Sequence, residues 1–180
     1  MYKSIAILFL VFASSLTQAQ EKLVTRTGTI SFSSKTPIEN IEATSNQAAS
    51  ILNIEKKLIA FNVLLKSFKF EKALLEEHFN EKYVHSDKYP SAKFQGTFET
   101  DIDLNSPQVY EDVNINGTML FHGKKQPTSV KATIEVMKDK TLKVTSDFKL
   151  VLETYDIEIP SLVKDKIAAD IDVNLVANYK

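Results

Sequence analysis

From Thr25 onward, apolar and polar residues alternate with a period of two, the spacing that sends successive side chains to opposite faces of a β-sheet. Ser91–Glu99 places Ala92, Phe94, Gly96 and Phe98 on one face and Lys93, Gln95 and Thr97 on the other. In Ser129–Met137 the apolar set is Val130, Ala132, Ile134 and Val136. The pattern runs on through Leu142, Val144, Ser146, Phe148, Leu150 and Leu152, and returns in Ala169, Ile171, Val173, Leu175 and Ala177. Thr25–Ser34 aligns Gly28, Ile30 and Phe32, and Val113–Gly123 aligns Val113, Ile115, Gly117, Met119 and Phe121. With Ile38–Thr44, Ser50–Ile54 and Lys57–Lys69, the chain predicts about eight or nine strands, several well beyond the mean of about 5–6 residues.

Two segments break the alternation. Glu71–Glu81 pairs Leu75 with Phe79 and Leu74 with His78 at i, i+4 spacing, which predicts a short amphipathic helix whose apolar stripe needs burial. Pro160–Asp165 reads as one helical turn, because proline suits the first helical position. Asp101–Glu111 is expected to be a loop, and Gly123–Pro127 the turn of a hairpin. Long antiparallel strands joined by short turns such as Met137–Lys140 would expose unpaired edges unless the sheet closes, so the fold class is all-β and a single antiparallel up-and-down barrel. The helix is then expected over one end of that barrel, where inward-facing apolar residues are exposed, as a gate or as a fixed plug.

The first nineteen residues follow a different logic. Lys3, the apolar run Ile5–Phe12, the polar stretch Ser14–Gln18 and the small residue Ala19 have the order of a cleavable secretory signal peptide. The apolar run is far shorter than the ~20 residues that span a bilayer. The expected domain therefore covers residues 20–180 of the 180-residue chain, beginning at Gln20 in a periplasmic or secreted setting with no integral span after cleavage. The chain contains no cysteine, which excludes disulfides, a thiol nucleophile and a lipoprotein anchor. Formal net charge is −1, and loss of Lys3 makes the remainder about one unit more negative. Nucleic acid is not an expected partner, since no basic face is visible.

Candidate chemistry is sparse. No Gly-x-Ser-x-Gly elbow, His-Glu-x-x-His helix or phosphate-cradling glycine loop occurs, so no enzyme activity is expected. The three histidines, His78, His85 and His122, lack a third ligand at a supportive spacing, and neither a metal nor a cofactor is expected. Asp170 and Asp172 share a strand face opposite the apolar one and read as surface residues. Parity turns Phe32, Phe61, Phe94, Phe98, Phe121 and Phe148 inward, where they either pack a solid core or line a lumen. The small inward residues Gly28, Gly96, Gly117 and Ser146 leave volume that neighbours must fill or a lumen must keep.

Three stretches resemble the exported YceI-like proteins. Phe79–Phe94 contains Lys88-Tyr89-Pro90-Ser91-Ala92-Lys93-Phe94, similar to that family's Lys-Tyr-Pro-x-Ala-x-Phe strand start after a helix. Ile115–Pro127 is similar to its Gly-x-Leu-x-x-x-Gly-x-x-x-Pro hairpin, and Asp147–Ile157 to its penultimate strand and exit. The N-terminal third departs from the family, since Ile30-Ser31-Phe32-Ser33-Ser34 lacks the His-Ser pair common at the end of its first strand. The resemblance implies a lipocalin-like barrel holding a polyisoprenoid or other long-chain lipid amphiphile. It implies a lumen lined by Phe32, Phe61, Val63, Phe94, Phe98, Met119, Phe121, Phe148 and Leu150, with Leu74, Leu75 and Phe79 on the gate helix. Lys88, Tyr89 and His122 are the only residues offered for a headgroup, against an ordinary role as solvated loop residues. A homodimer stays open, and the competing reading is a solid-cored exported interaction or stress-response module with no ligand.

Overall fold

The computed structural model describes residues 22–180, so the expected signal peptide and its cleavage site lie outside the described residues. The described residues form nine strands: β1 (Lys22–Lys35), β2 (Asn40–Asn53), β3 (Leu58–Leu64), β4 (Lys69–Phe70), β5 (Ser91–Phe98), β6 (Gln108–Phe121), β7 (Lys124–Val136), β8 (Leu142–Val151) and β9 (Asp170–Tyr179). The sheet runs β1-β9-β8-β7-β6-β5-β3-β2 and closes through a β1–β2 pairing, giving an eight-stranded barrel in which every pairing is antiparallel. The two-residue β4 adds to the upper part of β2. Closure gives each of the eight barrel strands a partner on both sides, along part or all of its length. Among the described residues no helix is long and apolar enough to cross a membrane.

Several boundaries differ from the sequence reading, each for a local reason. Ile38–Thr44 and Ser50–Ile54 are parts of the single strand β2, because the polar link Ser45–Ala49 carries a bulge opposite Gly28 that shifts parity between Ser45 and Ala48. The end of the Asp101–Glu111 loop belongs to β6, where Glu111 and Asp112 bulge between Tyr110 and Val113 and mask the alternation. Lys57–Lys69 is not one strand: β3 ends at Leu64 and a 3-10 turn, Leu65–Ser67, intervenes before β4. Pro127 lies within β7, and the hairpin turn is His122–Gly123 alone, both at positive φ (48° and 76°), as a two-residue I′ turn demands.

The helix α1 spans Ala73–His78 and is shorter than Glu71–Glu81, because from Phe79 to Tyr83 the backbone widens into a π turn. A 3-10 turn at Ser161–Val163 follows Pro160.

Two apolar clusters share the interior. One packs Leu52, Ile59, Phe98, Val113, Ile134, Val136, Leu142, Val144 and Tyr179 at the end that includes the β3–β5 and β7–β8 pairings farthest from α1. The other gathers Val63, Leu65, Phe68, Val84, Phe121, Tyr155 and Ile157 toward α1 and the 3-10 segments.

Candidate functional site

The site follows from how those two clusters fill. In the first, aliphatic side chains from facing strands interlock, and Ile59, Ile134 and Tyr179 have no exposed surface. The Tyr179 hydroxyl is 2.6 Å from Ser50 Oγ, which in turn donates to the Ala60 carbonyl, so the burial that pushes the phenol's pKa up leaves no unsatisfied donor. In the second, large rings meet at angles that leave space. Phe32 sits among Phe68, Phe70 and Phe79 at centroid distances of 5.3, 5.8 and 5.4 Å, and Phe121 crosses Tyr155 edge-on.

The result is an apolar cavity of about 400 Å3. Its size falls within the range of small-ligand pockets, and its wall is aliphatic and aromatic along most of its length. A broader hollow of about 850 Å3 lies on the outer sheet face between Val24, Ile51, Gln95 and Thr118, where strand parity presents polar residues beside apolar ones.

Eight of the nine expected lumen residues line the cavity: Phe32, Phe61, Val63, Phe94, Met119, Phe121, Phe148 and Leu150. Phe98 does not. It keeps the inward parity but lies one turn of alternation beyond Gly96, in the solid cluster with Ile102 and Val113. Leu74, Leu75 and Phe79 of the helical segment also line the cavity, although α1 itself buries no residue and Leu74 stays 60% exposed.

The inward glycines do not create this space. Gly96 and Gly117 pair directly across β5 and β6, and a methyl group on Gly117 would sit 2.6 Å from the Gly96 Cα. The room beside Gly96 is taken by the Phe94 ring and Ile115. Of the small residues only Ser146 faces the cavity.

Polar groups gather at the helix-covered end, and they are not the expected ones. Lys88, Tyr89 and His122 surround the β6–β7 hairpin: Tyr89 packs over His122 at 4.8 Å between ring centroids, and the Lys88 ammonium lies 5.0 Å from the Tyr89 ring. None of the three lines the cavity. Ser34, Glu39, His78 and Lys166 do. Glu39 meets Lys72 at 3.5 Å, His78 lies 2.8 Å from the Lys82 ammonium, and Ser34 Oγ accepts from the Ala168 amide. Glu39 and Lys166 lie in connecting segments, where periodicity carries no signal about direction, whereas Ser34 keeps the inward parity of Ile30 and Phe32 at the end of β1 and His78 closes α1 four residues after Leu74. Among the described residues no group of three ligating side chains converges as a metal site would require.

The comparisons agree with this architecture. A family model for the YceI-like domain matches residues 15–178. A polyisoprenoid binding domain from Saccharophagus degradans superposes with a TM-score of 0.73 at 11% identity, covering 88% of this chain and 97% of that one. BcnA from Burkholderia cenocepacia gives 0.68 at 14% identity over 83% and 96% of the two chains, and a YCEI protein from Campylobacter jejuni gives 0.64 at 16% over 81% and 88%. No curated protein matches the chain in sequence. With the family model spanning nearly all of the barrel, the chain belongs to the YceI-like family.

Proposed function

We propose that this protein is an exported, periplasmic carrier or sequestering protein for a long-chain amphiphile, an isoprenoid or fatty-chain lipid held in the barrel lumen. The observation that carries the reading is the apolar cavity of about 400 Å3, closed below by the aliphatic cluster and reaching α1 above. Burying a tail there gains about 25 cal/mol per Å2 of apolar surface, so several kcal/mol are available without a charged contact. Phe32, Phe61, Val63, Phe94, Met119, Phe121, Phe148 and Leu150 hold the tail, and Leu74, Leu75 and Phe79 cover its outer end. Ser34, Glu39, His78 and Lys166 meet the headgroup, in place of the hairpin cluster. The polyisoprenoid binding of the Saccharophagus degradans domain supports the same ligand class, and the role is one of binding without catalysis.

The test is mass spectrometry of lipids extracted from protein purified natively from the cell envelope. A long-chain lipid at near-stoichiometric yield is the expected result. Lipid-free protein that also fails to take up a fluorescent fatty-chain probe would instead favour an interaction module.

A further inference from the structure

Two seams of the barrel carry short backbone ladders, β1–β9 over Thr29–Ser33 and β7–β8 over Thr133–Val136, and the cavity reaches the unpaired part of the second. The β7–β8 ladder runs only from Val136–Leu142 to Thr133–Thr145, although β8 continues to Val151 fully paired with β9 and β7 begins at Lys124 fully paired with β6. Continuing the same register would oppose Lys131 to Asp147 and Ser129 to Lys149, yet no ladder joins them.

At the far end of the unpaired stretch, opposite Val151 in the same register, the sequence removes one donor. The two-residue turn makes Phe121–Lys124 the closing hydrogen-bonded pair of the β6–β7 hairpin, and alternation then leaves Thr118–Pro127 a pair without mutual bonds. The backbone nitrogen of residue 127 therefore faces β8, and proline supplies no donor there. Side chains replace the missing ladder. Ser146 Oγ donates to the Lys131 carbonyl at 2.6 Å. Higher up, the strap Leu152–Ile157 lies across the gap, held by Gln126 Nε2 donating to the Thr154 carbonyl at 3.0 Å, His122 Nδ1 donating to the Tyr155 carbonyl at 2.9 Å, and a Lys124–Asp156 ion pair. Tyr155 and Ile157 seal the inside of the strap. The cavity reaches this seam from both sides, through Val130 and Ala132 on β7 and Ser146, Phe148 and Leu150 on β8.

We propose that the β7–β8 seam is a lateral passage through which an amphiphile's tail enters and leaves the cavity, with the strap Leu152–Ile157 as its latch. The proposal rests on the carrier reading above and adds a route distinct from the helix-covered end. Parting the unpaired stretch of the seam breaks a few side-chain bonds, two of them at exposed groups, and uncovers Tyr155 and Ile157, whereas parting β6–β7 or β8–β9 would break a backbone ladder along the whole strand.

Because the chain has no cysteine, Ser129→Cys with Lys149→Cys can be bridged specifically by a short bis-maleimide. Uptake and release of a pyrene-labelled fatty acid are then followed by stopped-flow fluorescence, with the unbridged double variant as reference. The bridge is expected to slow both rates at least tenfold while leaving the equilibrium affinity within about twofold. In a second variant, Lys124→Ala with Gln126→Ala, loss of the latch is expected to raise both rates severalfold. Rates unchanged by the bridge, or by latch removal in a folded variant, would overturn the passage. Failure of the unmodified protein to bind the probe at all would overturn the carrier reading and the passage with it, a result separable from altered kinetics.

Discussion

The two ends of this barrel are built from the same alternation and differ in what fills it. At the closed end Leu52, Ile59, Ile134, Leu142 and Ala177 interlock with almost no exposed surface. At the other end Phe32, Phe70, Phe79, Met119, Phe148 and Leu150 are only partly buried and border a cavity. Branched aliphatic side chains of similar size can interdigitate from facing strands, but rigid rings held about 5–6 Å apart cannot collapse onto one another. One end thus supplies the stability that lets the other keep a void.

The largest expected effect tests which face of a strand is dry. Phe98→Glu should leave no cooperatively folded protein, since it places a carboxylate in the solid cluster, while Gln95→Glu on the outer face of the same strand should melt like the parent. Circular dichroism melts of the pair check it, and equal tolerance would break the division of faces.

Next comes a contrast between the ends themselves. Ile134→Ala should lose about 2–5 kcal/mol in urea unfolding with probe affinity nearly unchanged. Phe148→Ala, on the cavity wall, should cost only about 1 kcal/mol and weaken binding of a fatty-chain probe about tenfold. Reversal of those two patterns would mean that the cavity end, and not the closed end, carries the fold.

A smaller effect concerns the cover. Replacing Leu75 and Phe79 together by alanine should speed probe exchange with about 1–2 kcal/mol of lost stability if the helical segment gates the end, because α1 itself has no fully buried residue. Early unfolding of the double variant would mark the segment as a fixed plug. The smallest effect is electrostatic. The hydrogen bond from Lys69 holds the Glu76 carboxyl below its ordinary value of 4.5, so this contact stabilises the fold above that value and is lost as pH falls through the lowered folded pKa. Glu76 lies at the surface, so Glu76→Gln should flatten the acid limb of a Tm-against-pH profile only slightly, by a degree or two.

Much of this was legible along the chain. Alternation alone assigns the inward face of the strands containing Phe94, Ile134, Val144 and Leu175, which the burial of these residues matches. Bulges were not legible. At Ser45–Ala49 and at Glu111–Asp112 one extra residue resets the parity, and only the partner strand reveals which residue is unpaired. The polar end of the cavity was only partly legible, because Glu39 and Lys166 reach it from connecting segments with no period, while Ser34 and His78 follow the parity of β1 and the stripe of α1.

By itself, then, the sequence determined the period, the faces, the closure into a barrel and the short helix. Each of these follows from dihedral preference and side-chain direction. Whether the inward residues fill the barrel was decided only in three dimensions. Phe98 and Phe94 lie four residues apart on one face, yet one is sealed in a solid core and the other borders a void. The difference depends on the summed volumes of side chains brought together from strands distant in the chain, a quantity that no single stretch of sequence contains.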